Sequence, residues 1–447
     1  MSLHYEDAGL RLWHGSCKDI LPTFADESFD SICTDPPYEL GFMGKGWDSS
    51  GIAYDVDVWR ECFRVLKPGG FLLAFGGSRT WHRIAVAIED AGFEVRDSIA
   101  WLYGSGFPKS LDVAKAIDKA ARGVPQGGED PTSPNHGQYR TSKTEGQRWD
   151  GDNGQSYGAG GSRFLTNTAS ERTTAPSTQT TKETAAVAAG GSLNPTQVAI
   201  AREWEGWGTA LKPAFEPIIV ARKPLRGTVA ANVLAYGTGA LNIDATRTSA
   251  APGDVASVHG TKRSGGIMGA SSPRDEPSEP HEAGRWPTNV VLDESQAAAL
   301  DEQTGVLTSG KLAAHHARNP KEAGILGAYG SAEGERGYGD SGGASRFFPT
   351  FRYEAKAPGT ERPEVDGVQH ATVKPLELMR WLVRLVTRPG GRVLDLFAGS
   401  GTTGEAALLE GMEVDLIELE ADHLPLILAR VRKPLQPSMF GDWDEAS

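Results

Sequence analysis

The sequence predicts an α/β fold built on a largely parallel sheet with helices on both faces. Three observations carry this expectation. Short apolar runs alternate with helix-period segments over residues 10–103, and the same alternation returns over 374–432. One run in each half ends in a Pro- or Gly-rich turn: Thr34-Asp35-Pro36-Pro37-Tyr38 in the first, Phe397-Ala398-Gly399-Ser400-Gly401-Thr402-Thr403-Gly404 in the second. Open α/β sheets bind ligands beyond the carboxyl ends of their strands, which makes both turns candidate functional segments.

Taken in order, Asp30-Ser31-Ile32-Cys33-Thr34 reads as a strand that delivers Asp35 to the sheet edge. Val58, Cys62, Val65 and Leu66 recur at helical spacing and predict a helix over 55–66, stopped by Lys67-Pro68-Gly69-Gly70. Phe71 to Phe75 reads as a buried strand, 79–91 as a second helix, Val95 to Tyr103 as a further strand, and 110–121 as a helix. From about 123 to 195, Gly, Ser, Thr, Gln and Asn dominate without an apolar period. Such a composition cannot bury enough surface to offset its ordering entropy, so a mobile, disordered insertion is expected. Phe215 to Lys223 reads as a strand that pairs with 95–103 across the insertion. Residues 224–350 carry many loop signals and short apolar pieces such as Asn289-Val290-Val291-Leu292, which suggests a second, irregular domain. Order returns with a helix at 374–386, a strand at 392–396, the Gly-rich turn, a helix at 402–410, a strand at 413–417 and a helix at 421–432. This last segment is a β-α-β unit.

At 447 residues the chain is long enough for two domains. Its formal net charge of -13 excludes a surface coated with positive charge, so any nucleic-acid contact must be a local patch. Cys17, Cys33 and Cys62 have neither metal-type spacing nor the makings of a disulfide framework. They read as small buried hydrophobes in a reducing cytoplasm. No run approaches the roughly 18–20 apolar residues that span a bilayer, and the first residues lack a charged-then-apolar leader pattern. Trp47, Trp204, Trp207 and Trp286 lie outside the expected core strands, where they are compatible with stacking on bases, although core packing is the commoner role.

A strand, a glycine-rich turn and a helix aim backbone N–H groups and the positive helix terminus at whatever binds there. Gly399, Gly401 and Gly404 satisfy the Gly-x-Gly-x-x-Gly dinucleotide fingerprint, and Glu418 lies near the spacing of a ribose-binding acid. The spacing alone leaves a nicotinamide enzyme and a methyltransferase equally open.

The two turns together resemble the DNA amino-methyltransferases, the family that methylates exocyclic amino groups of adenine (N6) and cytosine (N4). Asp35-Pro36-Pro37-Tyr38 is similar to their catalytic tetrapeptide, and Asp395-Leu396-Phe397-Ala398-Gly399-Ser400-Gly401 to their S-adenosylmethionine loop. The catalytic segment preceding the loop matches the permuted, β-type order. The resemblance covers about 10–103, 215–223 and 350–432. It implies a Rossmann-like S-adenosylmethionine-dependent sheet with Asp395, Phe397, Ala398, Gly399, Ser400, Gly401, Thr402 and Glu418 at the cofactor. His370-Ala371-Thr372-Val373-Lys374-Pro375 resembles the family's His-Pro-Thr-x-Lys-Pro segment and adds Thr372 and Lys374. Gly15-Ser16-Cys17 stands where the family commonly has Gly-Asp-Cys, which adds Ser16 and Cys17, with a hydroxyl in place of the acid.

By the same resemblance, Asp35 and the Pro36 carbonyl accept the amino hydrogens, Pro37 stiffens the turn, and Tyr38 stacks on a base removed from the duplex. An initial Asp favours adenine N6 over cytosine N4. Cytosine C5 chemistry is disfavoured because no cysteine follows a proline. The adenine amino nitrogen is a poor nucleophile, and fixed acceptors that favour its tetrahedral form are what the transfer needs.

Double-stranded DNA is therefore the expected partner. Between 212 and 263, Lys212, Arg222, Lys223, Arg226, Arg247, Lys262 and Arg263 outnumber the acids, which marks a candidate DNA-facing stretch beside ordinary solvated loop charge. Arg79 and His82 follow a sheet strand on the rim that carries Asp35, and Lys356 with Arg362 resembles a basic segment of related enzymes. His315-His316 reads as loop, and no metal is expected. The resulting division is a catalytic half at 1–122, the insertion at 123–200, a return strand at 201–223, target recognition at 224–350, a cofactor half at 351–435 and a tail at 436–447. A homodimer and a cognate restriction endonuclease are left open as partners. The rival readings are a nicotinamide oxidoreductase and a DNA-binding protein that kept the fold and lost catalysis.

Overall fold

The computed structural model describes residues 2–7, 9–40, 50–104, 106, 110–121, 195–248, 284–308, 341–351, 362–370 and 372–432. The chain divides into two compact units. The larger comprises 1–38, 50–105 and 214–447, and the smaller 39–49 and 106–213.

The larger unit is organised by a sheet of ten strands. Its strands, with four short ones elsewhere, are β1 Ser2–Asp7, β2 Leu10–His14, β3 Phe29–Thr34, β4 Leu66–Phe75, β5 Glu94–Leu102, β6 Phe215–Arg222, β7 Val290–Asp293, β8 Leu307–Thr308, β9 Ser341–Gly342, β10 Thr350–Phe351, β11 Glu364–Val365, β12 Val368–Gln369, β13 Arg392–Asp395 and β14 Glu413–Glu418. The sheet order is β1-β2-β14-β13-β3-β4-β6-β5-β7-β10. All neighbours run parallel except where β1 meets β2 and where β6 meets β4 and β5. Chain order reverses between β3 and β13, which are paired at Ser31↔Val393 and Ile32↔Leu394.

Burial on both faces explains why these strands are continuous apolar runs. Along β4, Phe71, Leu73 and Phe75 face the helices Leu376–Val386, Thr402–Leu409 and Leu424–Val431. Leu72 and Ala74 point the other way, towards the helices Val56–Val65 and Trp81–Asp90. The helix Val56–Val65 starts where the Asp55 carboxylate accepts from Asp57 N and buries Val58, Trp59, Cys62 and Val65. The two helices flanking the cofactor turn are clamped by Glu410, which accepts from Arg380 Nε at 2.8 Å and Arg384 Nε at 2.7 Å.

The expected elements are present with small changes of boundary, and the expected pairing of 215–223 with 95–103 is observed, antiparallel. Three findings differ. First, Lys67-Pro68-Gly69-Gly70 stops the helix as expected but also belongs to β4, which begins at Leu66 rather than Phe71. Gly69 takes φ +77 there, against the side chain of buried Asn232, whose Nδ2 donates to the carbonyls of Pro68 and Thr238, both at 2.9 Å. Second, the described residues of 224–350 belong to the sheet's own unit, and β7 and β10 lengthen the sheet by two strands. Third, β1 and β2 add an edge hairpin, with β2 pairing β14. Residues 122–194 and 433–447 lie outside the described residues, as do most of the expected insertion and the tail.

In the smaller unit the helices Val113–Ala121 and Pro195–Glu203 are described. Ser110 Oγ accepts from Thr209 N at 2.9 Å, and Trp204 and Trp207 meet edge to face with ring centroids 5.1 Å apart. Among the described residues no helix is long and apolar enough to cross a membrane.

Asp30 ties three strands together. It is 3% exposed, accepts from Lys67 Nζ and from Arg392 N, both at 2.9 Å, and so joins β3 to β4 and β13. Asp30→Ala strands a buried N–H and an ammonium, and is expected to cost about 2–3 kcal/mol in urea unfolding followed by circular dichroism. Asp30→Asn, which keeps one acceptor, is expected to cost less.

Candidate active site

The parallel strands place Asp35, Gly76, Tyr103, Asp395 and Glu418 at one edge of the sheet, and because β6 runs the other way its amino end adds Glu216. The turn after β3 is held from outside, where Thr80 Oγ1 donates to the Tyr38 carbonyl at 2.9 Å. Tyr38 passes beside Gly77, where an added Cβ would approach its ring to 3.2 Å.

Four side chains converge here. Lys374 Nζ lies 2.6 Å from Asp35 Oδ2, 3.2 Å from the Tyr38 hydroxyl and 3.5 Å from Glu216 Oε2. Tyr38 donates to Glu216 Oε2 at 3.0 Å. Asp35 Oδ1, by contrast, is buried and has no hydrogen-bond partner among the described residues. Burial works against the Lys374 ammonium, yet the Asp35 and Glu216 carboxylates hold its pKa above the ordinary lysine value. Burial, with Asp35 and Glu216 beside it, pushes the Tyr38 phenol well up, so it stays protonated.

The second half of the site is the turn after β13. Gly399 and Gly401 adopt φ +54 and +79, which glycine tolerates and other residues rarely do. A Cβ at Gly401 would meet Ile427 at 3.0 Å, and one at Gly399 would meet His370 Nε2 at 3.1 Å. The loop is pinned to the next strand: Ala398 N donates to the Ile417 carbonyl at 3.0 Å and Gly399 N to Glu418 Oε2 at 2.7 Å. Glu418 Oε1 accepts from Glu420 N at 2.8 Å, with His423 Nδ1 at 3.3 Å. Ser400 and Thr402 hydroxyls lie 3.2 Å apart and are buried. Asp395 accepts from Thr34 Oγ1 at 2.7 Å and from Phe397 N at 3.1 Å, and burial pushes its carboxyl up to about 6. His370 is pushed down by burial and by the His423 ring, 4.7 Å away.

The structure thus brings together Asp35, Tyr38 and Lys374, and separately Asp395, Phe397 to Thr402 and Glu418. Thr372 is exposed, and its carbonyl meets His370 Nδ1 at 2.5 Å. Ser16 lies beside Glu418, because Gly15 N donates to the Glu418 carbonyl at 2.9 Å. Its hydroxyl caps the helix Cys17–Ile20 by accepting from Lys18 N at 3.3 Å. Cys17 is buried, which pushes its thiol up to about 12. Glu216, Thr34, Tyr103 and His423 were missed. A lone acid at the head of a strand carries a signal only once that strand's direction is known.

The cation assignments need correction. Arg222, Lys223 and Arg226 lie at the opposite edge, since β6 runs antiparallel to β4 and Arg222 pairs with Phe71. Lys223 is buried, donates to the Leu66 carbonyl at 2.8 Å and lies over the Phe63 ring, and burial lowers its pKa. Arg222 is paired with Glu94 at 2.7 Å, and Arg226 with Glu27 and the Tyr236 hydroxyl. Arg247 is paired with Asp244 at 2.9 Å and lies over Trp286. Arg79 and His82 are exposed on the Asp35 edge, Lys212 is exposed in the smaller unit, and Arg362 is half-buried before β11. Lys262, Arg263, His315, His316 and Lys356 lie outside the described residues.

A family model described as DNA methylase, covering N6 and N4 enzymes, matches residues 29–122 and 178–429, and so includes both turns. The chain belongs to the N6/N4 DNA methylase family. The stretch that this family's pattern skips, 123–177, falls within the polar, aperiodic insertion. Among curated relatives, the type II methyltransferase M.HinfI of Haemophilus influenzae is 28% identical over 106 residues, 20% of this chain and 30% of that protein. The matched stretch spans less than two fifths of the curated relatives. Solved structures similar to this chain include an M1.HpyAVI–SAM complex, with TM-score 0.38, 13% identity and coverage of 95% and 99% of the two chains. The cytosine-N4-specific PvuII DNA methyltransferase aligns with TM-score 0.38, 13% identity and coverage of 99% and 90%.

S-adenosylmethionine is the methyl donor of this family. The donor set fits it: the buried carboxylates of Asp395 and Glu418, at adjacent strand ends, flank a turn that glycines at positive φ allow to bend sharply between them.

A raised Asp395 binds its proton more tightly folded than unfolded. Its contribution to stability is therefore present at low pH and is lost as pH rises from the ordinary carboxylate value of 3.8 to about 6. Asp395→Asn is expected to remove that loss, so the difference in urea midpoint between variant and wild type grows in the variant's favour across this window.

Proposed function

We propose that this methylase transfers a methyl group from S-adenosylmethionine to adenine N6 in double-stranded DNA, at specific sites, on a base turned out of the helix. The observation that carries this reading is the Asp35 carboxylate. One of its oxygens is fixed by Lys374, and the other is buried with no partner among the described residues, at the edge shared with the Gly399 turn.

Asp395 and Glu418 are the acids that would hold the cofactor's ammonium and ribose hydroxyls, with the backbone of the 397–401 turn between them. The cofactor supplies an electrophilic methyl on a sulfonium, and the chain's own residues do the rest. Asp35 Oδ1 and the Pro36 carbonyl accept the two amino hydrogens, which draws the nitrogen lone pair out of conjugation and aims it. The fixed φ of Pro36 and Pro37 keeps those acceptors from swinging away. Tyr38 offers a flat face held in place by Glu216. The amino nitrogen would end bonded to the methyl carbon as the carbon–sulfur bond breaks and its electron pair returns to sulfur, and the nitrogen would lose one proton to solvent. The initial Asp of the tetrapeptide favours adenine, and cytosine N4 is the second reading, since the family includes both targets. The free cysteines Cys17, Cys33 and Cys62, all buried, suit a reducing cytoplasm, where a cognate endonuclease would act on the same sites.

The test is incorporation of labelled methyl into duplex DNA, followed by nucleoside analysis. N6-methyl-2′-deoxyadenosine is expected; N4-methyl-2′-deoxycytidine instead would overturn the base assignment, and no incorporation into any duplex would overturn the enzyme reading. Asp35→Ala is expected to lower transfer by at least about 100-fold while S-adenosylhomocysteine still binds with nearly wild-type affinity by calorimetry.

A further inference from the structure

The family resemblance assigns Lys374 to the cofactor, but its geometry directs it elsewhere. Lys374 belongs to the segment that leads from His370, packed against Gly399, into the helix Leu376–Val386. An ammonium has three hydrogens. Three oxygens surround Lys374 Nζ, at 2.6 Å on Asp35, 3.2 Å on Tyr38 and 3.5 Å on Glu216, and all three belong to the catalytic side. The Phe75 and Tyr38 rings wall the ammonium in, with centroids 4.8 and 5.4 Å from Nζ. Its side chain is only 12% exposed.

This arrangement answers a problem of charge. Asp35 and Glu216 both meet the Lys374 ammonium, and Glu216 also accepts from the Tyr38 hydroxyl, so two acids share one small, partly buried space. Without a cation between them they would repel, and one would tend to take up a proton or rotate away. Either change would remove the acceptor that the amino group needs.

Resting on the proposed amino-methyl transfer, we infer that Lys374 is a positioning residue: held between Asp35 and Glu216, it fixes the Asp35 carboxylate so that Oδ1 alone is left to receive a hydrogen of the target amino group. Glu216 is its counterpart. It anchors the ammonium from the far side and, through the Tyr38 hydroxyl, sets the plane of the stacking ring. The Tyr103 hydroxyl closes the network 3.5 Å from Glu216 Oε1. Asp395, His370 and buried Cys33 are the other titratable groups that feel the Asp35 charge.

Lys374→Gln, Lys374→Arg and Glu216→Gln separate this role from a cofactor contact. For Lys374→Gln, kcat is expected to fall about 100-fold, with the KM for S-adenosylmethionine and the Kd of S-adenosylhomocysteine within about threefold of wild type. Lys374→Arg should restore part of kcat, and Glu216→Gln should lower kcat with the same cofactor affinity. A tenfold or greater weakening of S-adenosylhomocysteine binding with kcat unchanged would make Lys374 a cofactor ligand and overturn the inference, as would Lys374→Gln at wild-type kcat. A crystal structure of Lys374→Gln with S-adenosylhomocysteine decides the same point without turnover: the Asp35 carboxylate is expected to have turned from its wild-type orientation, and an unmoved carboxylate overturns the positioning role. Absence of methyl transfer by the wild type would instead bring down the proposed function, leaving that structure and the binding constants to decide the role of Lys374.

Discussion

The pairing of β3 with β13 is the constraint on which the rest of the site depends. Ser31 and Ile32 lie beside Val393 and Leu394, so segments more than 350 residues apart in sequence become adjacent strands. Three further contacts lock that seam. Asp30 accepts from Arg392 N, the Ser31 and Thr387 hydroxyls meet at 2.6 Å, and Thr34 Oγ1 donates to Asp395 Oδ1 at 2.7 Å. The last contact joins the residue before Asp35 directly to the acid that opens the cofactor turn. With both strands parallel, their carboxyl ends emerge at one edge on either side of the point where chain order reverses, which is where open α/β sheets leave a crevice.

At that edge the protein keeps two kinds of carboxylate. Asp35 is paired with an ammonium, a charge-assisted contact of the kind worth about 1.5–3 kcal/mol net. Among the described residues the donors to Asp395 are neutral, and burial raises its pKa to about 6. The difference matches what each would face. In the proposed reaction Asp35 would offer a negative oxygen to the incoming base, and its counter-ion is built into the fold. Asp395 would there meet the cofactor's ammonium, with which a built-in cation would compete.

The opposite edge has the reverse logic. There Lys67 is paired with Asp30, Lys223 caps a carbonyl over an aromatic ring, and Arg226 is paired with Glu27. These cations hold β4, β6 and the 229–236 helix together, with Asn232 filling the hollow beside Gly69. Positive charge in an acidic chain is thus partly structural. Arg79 and His82 are exposed on the edge that carries Asp35, which keeps them among the candidates for the proposed DNA contact.

Much of this was legible in the residues alone, because local rules set it. Continuous apolar runs bounded by Pro and Gly marked β3, β5, β6, β13 and β14, and helical spacing marked 56–65 and 376–386 within two residues of their observed ends. The two turns could be identified because proline and glycine are demanded there by backbone geometry, wherever the rest of the chain goes. Only the tertiary structure decided what those rules leave free. The antiparallel sense of β6 moved Arg222 and Lys223 away from the active edge and brought Glu216 into it, since strand direction depends on pairing across the insertion rather than on the strand's own residues. It also turned Lys374 from a presumed cofactor ligand towards Asp35, because the side-chain oxygens that gather three hydrogens around one nitrogen come from segments that only folding brings together. The sequence by itself determined the chemistry available at the two turns; the fold determined which charges stand beside it.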